Sequence, residues 1–298
     1  MELIFQDITK SKIEKIFNYP FQILKEDLYL IEISARARSE RQIGEEETDD
    51  DDLRIEINSR KFPQLNSPTR YFDSPAAFSG GRLHNCKKTV IFLHQFSEGN
   101  HTLTLIPDRE PFLEEIKTSK GEIKEGKLTL GLDRQAEDGD RRPWYTFAFI
   151  DLPLKKITLD LSCQRRKWDK DDVKIIIDGE IKRNLKEGIL HKFWYWVGSF
   201  LKGGRQTDTF EVDLKKGVHY IELWADRMPI LNQVILDFGD TLLKRIPTVY
   251  DPKWIGVFFD DPEDVLLARL IFGEVRNQPK EAKIWVAGTV INRTYALS

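Results

Sequence analysis

The sequence predicts a mainly β protein: two tandem β-sandwiches followed by a short α-helical segment. Three features predict it. One stretch recurs at a fixed offset, short apolar–polar alternations bounded by turn residues fill both copies, and an apolar stripe of helical period appears only at the far end.

The recurrence is the strongest of the three. Gly99 to Leu113 matches Gly217 to Leu231 at an offset of 118, with seven of fifteen positions identical: Gly99, His101, Leu105, Asp108, Arg109, Pro111 and Leu113. Unrelated segments of that length share about one, so the match marks a duplication. Upstream, Phe78–Arg82 is matched to Leu201–Arg205, Asp52–Asn58 to Asp172–Asp178, and Ile31–Ser34 to Leu159–Ser162. The offset between the last two pairs drops from 128 to 120, which assigns eight extra residues to the first copy, where the acidic run Glu45–Asp52 lies. The predicted organisation is residues 1–119 for the first sandwich, 120–240 for a linker and the second, 241–259 for a connector, and 260–298 for the helical segment.

Taken in order, Met1 to Tyr19, with Ile8, Ile13, Ile16 and Phe17, predicts a short helix ahead of the first sandwich. Leu53, Ile55 and Ile57 alternate with polar residues, as do Leu103 and Leu105, and Val173, Ile175 and Ile177 repeat the pattern with Ile221 and Leu223. Gly-Asn, Lys-Gly-Gly and Asp-Gly-Glu sites separate them with turn chemistry. Copies of roughly 110–120 residues built this way suit a β-sandwich. Thr118 to Arg142, rich in Gly, Lys and acidic residues, is expected to be linker plus one or two strands of the second sandwich. The Gly-x-His-x-Leu-x-Leu and Asp-Arg-x-Pro-x-Leu pattern resembles the closing strands of galactose-binding-like jelly rolls, a class that includes many carbohydrate-binding modules. That resemblance implies two jelly rolls and a glycan ligand.

In the terminal segment Asp261 suits a helix N-cap, Pro262 the first helical position and Asp264 the third. Leu267, Leu270, Ile271 and Val275 then fall at helical spacing, and Glu274 projects along the same stripe. A carboxyl buried in such a stripe has its pKa raised and can serve as a general acid; at a stripe's edge it simply meets solvent. Leu266 to Pro279 together with Val286 to Arg293 resembles the opening of the spore-cortex-lytic type of bacterial cell wall hydrolase, with Val275 and Asn277-Gln278 as departures from its pattern. The resemblance implies a lysozyme-like, lytic-transglycosylase-related domain acting on peptidoglycan without a cofactor, with Glu274 as its catalytic acid. It also implies a location at the cell wall or outside the cell, although Met1 to Lys10 lacks the basic and apolar pattern of a signal peptide. The match reaches only Arg293, so the chain reads as a truncated catalytic domain with little or no activity of its own. The alternative is a non-catalytic scaffold that binds a glycan or a protein.

Composition narrows the field. A net charge of −3 gives no basic footing for nucleic acid, and no apolar run approaches the roughly 20 residues of a membrane span. Cys86 and Cys163 are too few for a disulfide framework, and no zinc-binding spacing occurs. The acidic run Glu45–Asp52 lacks the spacing of a calcium loop and reads as a solvated charge cluster, so no metal is expected. For glycan contact the candidates are Trp194 and Trp196 in Phe193–Trp196, and Tyr71, taken to sit at the matching place in the first copy. The competing reading puts Trp194 and Trp196 in a strand core. His101 and His219 are expected to share a structural hydrogen bond, and Asp108-Arg109 and Asp226-Arg227 a turn closed by a charged one.

Overall fold

In the computed structural model, residues 2–7, 10–44, 48–166, 169–184, 190, 193–215, 217–239 and 263–297 are described. Contacts divide the chain into two compact units, Met1–Lys253 and Trp254–Ser298. The first copy forms β1 (Glu2–Asp7), β2 (Ser11–Lys12), β3 (Phe17–Ile23), β4 (Asp27–Arg36), the helical turn α1 (Glu40–Ile43) and β5 (Asp52–Ile57). It continues with β6 (Arg60–Lys61), β7 (Phe78–Ser79), the turn α2 (Gly80–Leu83), β8 (Lys88–Phe96), β9 (Gly99–Asp108) and β10 (Phe112–Lys120). The second contributes β11 (Ile123–Lys124), β12 (Lys127–Gln135), β13 (Arg142–Ile150), β14 (Leu154–Ser162), β15 (Asp172–Ile177) and β16 (Glu180–Ile181). β17 (Trp196–Val197), the turn α3 (Gly198–Leu201), β18 (Arg205–Leu214), β19 (Val218–Asp226) and β20 (Ile230–Asp237) close it.

Strand order is the same in both copies. The first pairs β1-β10-β4-β8 and β3-β9-β5-β6; the second pairs β12-β20-β14-β18 and β13-β19-β15-β16. Successive strands of these sets alternate between the sheets except at the hairpins β5–β6 and β15–β16, which stay within one sheet, and this is the eight-strand order of a jelly roll. The copies are not separate bodies, because β8 pairs in parallel with β13, from Thr89 opposite Tyr145 to His94 opposite Ile150. One ten-stranded sheet therefore runs through both. The register puts Ile91 and Leu93 on the face of Phe147 and Phe149, within the second copy's core. Val90 and Phe92 share the other face with Ala148, within the first copy's core. The two remaining sheets thus pack on opposite faces of the shared one. Strands covered on both sides carry continuous apolar runs rather than alternation. Every residue of β13 is buried, and so is all of β8 except Gln95.

The structure revises the alignment of the copies in two places. Ile33 faces Ile116 on β10, and Leu159 faces Val234 on β20. Since Ile116 and Val234 are equivalent at the offset of 118, β4 and β14 align at 126 rather than 128, and six residues rather than eight are extra in the first copy. A slip of two keeps every side chain on its own face, so alternation cannot detect it. The second revision concerns the paired glycines. The Gly80 N–H donates to the Asp51 carbonyl at 2.9 Å and the Gly198 N–H to the Asp171 carbonyl at 2.8 Å. A Cβ on Gly80 would lie 2.0 Å from the Arg38 carbonyl oxygen, and one on Gly198 2.3 Å from that of Gln164. Gly80 therefore answers Gly198, not Gly203, and Phe78 answers Trp196, which removes the equivalence with Tyr71.

Two local expectations also change. The span from Met1 to Tyr19 contributes β1, β2 and the start of β3 instead of a helix, because the edge of β10 supplies a pairing partner for Glu2–Asp7. Asp51, within the acidic run, is buried rather than solvated. It accepts from Arg38 Nε at 2.7 Å and from the Glu110 N–H at 3.1 Å, and Asp171 accepts the matching Met228 N–H at 3.0 Å. These carboxylates close the turns that hold Arg109 and Arg227, both at φ 61°.

In the second unit α4 (Glu263–Val275) and α5 (Lys280–Leu297) are two helices separated by a turn. The expected cap at Asp261 and Pro262, and the connector 241–259, lie outside the described residues.

Candidate functional site

The predicted aromatic platform is not on the surface. Trp194 is 6% exposed and Trp196 1%. Trp196 packs against Tyr195 and Phe210, with centroids 4.6 and 5.9 Å away, and its Nε1–H donates to Asp208 Oδ2 at 2.7 Å. A ring enclosed in this way has no free face for a sugar. Tyr71 is half-buried, with the Arg54 guanidinium and the Lys61 ammonium each 5.3 Å from its ring centroid. Cations already occupy its surroundings.

The paired histidines hold structural bonds. His101 Nδ1 lies 2.9 Å from Asn58 Nδ2, and its Nε2 lies 2.8 Å from the Ser97 carbonyl. His219 Nδ1 lies 2.7 Å from Asp178 Oδ2, whose other oxygen accepts the Tyr220 N–H at 2.8 Å. Hydrogen bonding to Asp178 raises the His219 pKa against the opposing effect of burial.

Glu274 is exposed at the C-terminal end of α4. Leu267, Ile271 and Val275, four residues apart, are half-buried, while Leu270 and Phe272 are exposed. Glu274 falls on the Leu270 side of the helix, beyond the covered stripe, so it meets solvent rather than lying buried in the stripe. Arg276 turns toward Phe272, its guanidinium carbon 5.0 Å from that ring centroid.

A site that no single motif announced lies between the jelly rolls. A pocket of about 350 Å³ opens on the shared sheet beside the end of β12. Its floor carries Glu32 from β4, Thr89 from β8, Glu115 from β10 and Tyr145 from β13, with Arg134 and Trp144 beside them. Glu32 is paired with Lys117 and Glu115 with Ser34, so the two acids are diagonal cross-strand neighbours, roughly 7–8 Å apart. Burial pushes the Glu32 carboxyl up, opposed by Lys117. Burial also raises the Tyr145 phenol, which hydrogen-bonds with Thr89. Thr89 Oγ1 in turn lies 2.9 Å from Ser34 Oγ. At the rim Glu137 accepts from Arg36 Nη1 at 2.6 Å and from the Lys87 N–H at 2.9 Å. Burial alone would raise the Glu137 carboxyl, but these bonds hold it below the usual range. The sequence did contain a signal: Glu32 is an acid inside the apolar run Leu28–Ile33, on the same strand face as Leu28 and Leu30, which are buried in the second copy's core.

No family model matches the sequence, and no curated protein matches it. Among solved structures it is similar to the ANXUR2 extracellular domain from Arabidopsis thaliana, at 9% identity and TM-score 0.24, covering 81% of this chain and 88% of that one. It is also similar to the N-terminal CBM22-1-CBM22-2 tandem domain of Paenibacillus barcinonensis Xyn10C, at 7% identity and TM-score 0.24, covering 79% and 98%. A third, Arthrobacter globiformis T6 isomalto-dextranase complexed with panose, has 9% identity and TM-score 0.23, covering 76% and 36%. Overlaps this low bear on neither ligand nor activity. Among the described residues no helix is long and apolar enough to cross a membrane.

Proposed function

We propose that the β unit is a glycan-binding body serving bacterial cell wall lysis, and that the helical unit carries the opening of a cell wall hydrolase or lytic transglycosylase with Glu274 as its acid. The observation that carries the binding half is the junction pocket. It offers acceptors at Glu32 and Glu115 and donors at Arg134 and Lys87 around one small cleft. A sugar hydroxyl both donates and accepts, so such a lining suits it. The catalytic half is supported by the family resemblance around Gly273-Glu274 and by the presence of two helices, α4 carrying that pair at its end and α5 following after a short turn. Glu274 would protonate the glycosidic oxygen and then, in the transglycosylase form, take a proton from the sugar's own hydroxymethyl group. That route needs no second carboxylate, unlike the usual pair. Exposure leaves Glu274 without the water exclusion a general acid benefits from, so this chain alone is expected to cleave little.

Co-sedimentation with purified sacculi tests the reading. The chain should pellet with the wall and be released by soluble glycan strands freed of peptide. A chain that stays in the supernatant contradicts it. A non-catalytic scaffold is the second reading, favoured by the enclosure of Trp194 and Trp196, and full wall binding with no muropeptide release in any longer chain carrying these residues would select it.

A further inference from the structure

The duplication supplies an internal control for the junction pocket. At the structural offsets, Glu32 answers Thr158 and Glu115 answers Gln233. Thr158 simply lies 2.8 Å from Thr209, hydroxyl to hydroxyl, on the face away from its own core. The same fold therefore forms with no carboxylate at either place. Half-burying an acid costs solvation, and no hydrogen bond offsets it here: no described residue hydrogen-bonds the Glu32 carboxylate, and its cross-strand partner Lys117, with Arg134 and Lys87, opposes the cost only through space. Glu115 accepts from Gln6 Nε2 at 2.6 Å, so Glu32 is the acid left without a direct partner, and such an acid lining a pocket in a fold that forms without it calls for a ligand.

We propose that this pocket binds one or two units of a neutral sugar, a hexose or N-acetylhexosamine, and that Glu32 and Glu115 select it by accepting its hydroxyl protons. This rests on the glycan reading above. The volume, about 350 Å³, is at the lower end for small-molecule sites, which suits a short stretch of glycan rather than a long strand. The charge pattern excludes the extremes. An anionic sugar meets Glu32, Glu115 and Asp133, and a cationic one meets Lys87 and Arg134. A polyhydroxyl ligand satisfies both signs at once. Trp144, nearly perpendicular to Tyr145 at a centroid distance of 5.3 Å, closes one side with an apolar surface.

The test is calorimetric titration of the full chain with three tetrasaccharide probes: N-acetylglucosamine, its deacetylated glucosamine form, and a galacturonate. The proteins are the parent, Glu32→Thr, Glu32→Gln, Glu115→Gln and, as control in the duplicate, Thr158→Ala. Thermal melts establish that each is folded; Thr at position 32 is what the second copy already carries at the equivalent place. The neutral tetramer should bind the parent at least tenfold tighter than either charged one. Both Glu32 variants should weaken it at least tenfold and Glu115→Gln several-fold, with Thr158→Ala unchanged. Parental affinity in the Glu32 variants would overturn the pocket while leaving the glycan reading standing. Preference for a charged tetramer would overturn the ligand class. A parent that binds none of the three in calorimetry and still pellets with sacculi would overturn the pocket alone; failure in both assays would overturn the glycan reading with it.

Discussion

The parallel seam between the jelly rolls can be broken using the protein's own residues. Ile91 and Leu93 on β8 are 2% and 0% exposed and join the core of the following copy. At the equivalent places on β18, an outer edge strand, stand Thr209 and Glu211. Substituting Ile91→Thr and Leu93→Glu writes the edge sequence into the seam. Trading a buried isoleucine for threonine costs roughly 2 kcal/mol in lost transfer and packing. Leaving an uncompensated charge at the Leu93 site costs about 3–5 kcal/mol more. The sites are neighbours and do not add strictly, but a total of about 5 kcal/mol is comparable with the whole stability of many domains. Urea denaturation followed by near-ultraviolet circular dichroism measures it. Unfolding, or a loss of that order, is expected; a loss below about 1 kcal/mol would refute a continuous sheet through β8 and β13. The reverse exchange, Thr209→Ile with Glu211→Leu, should leave the fold intact but expose an apolar edge strand, so sedimentation velocity should show concentration-dependent association.

Three further outcomes are expected. Gly198→Ala drives a Cβ to within 2.3 Å of one backbone carbonyl oxygen and 2.6 Å of another, so it should cost about 3 kcal/mol or more by urea denaturation, against a small effect for Thr158→Ala. Burial, then Asp50, raises Asp52 to about 7, so between the ordinary aspartate range and that value the folded form holds a proton the unfolded chain has lost. Stability therefore falls as pH rises through that window, and Asp52→Asn, which can keep an acceptor for the Gly80 N–H, should flatten the decline in a series of melts from pH 4 to 8; an unchanged slope contradicts it. For His219 the direction is the same but the cause is attraction rather than burial: its raised pKa stabilises the fold fully below the ordinary histidine range and the benefit disappears as pH rises through the folded value. Asp178→Asn reproduces the Asn58–His101 arrangement of the first copy and should lower the His219 pKa measured by proton NMR, whereas an unmoved titration would discount the pair.

The period-two runs at Leu53–Ile57 and Val173–Ile177 were legible because one face of each strand is core and the other is not. The offset of 118 was legible because Asp108-Arg109 and Asp226-Arg227 occupy turns that the same backbone geometry demands twice. The seam was present in the sequence as continuous apolar runs, Thr89–Leu93 and Trp144–Ile150, yet composition alone does not say that these two strands meet in parallel. The slip at β4 was invisible, since moving by two residues changes no face. Trp194 and Trp196 show the limit for a site: alternation fits an open platform and a core strand equally, and only the surrounding Tyr195 and Phe210 decide. Glu32 and Glu115 lie 83 residues apart in sequence and become neighbours only through the pairing of β4 with β10.

A crystal structure of the full chain with a bound neutral oligosaccharide addresses the central claim most directly. Sugar density is expected in the junction pocket, with hydroxyls within hydrogen-bond distance of Glu32 and Glu115 and an apolar ring face toward Trp144. Density on the outer face of β18 or around Tyr71, with the junction pocket holding only solvent, would contradict it.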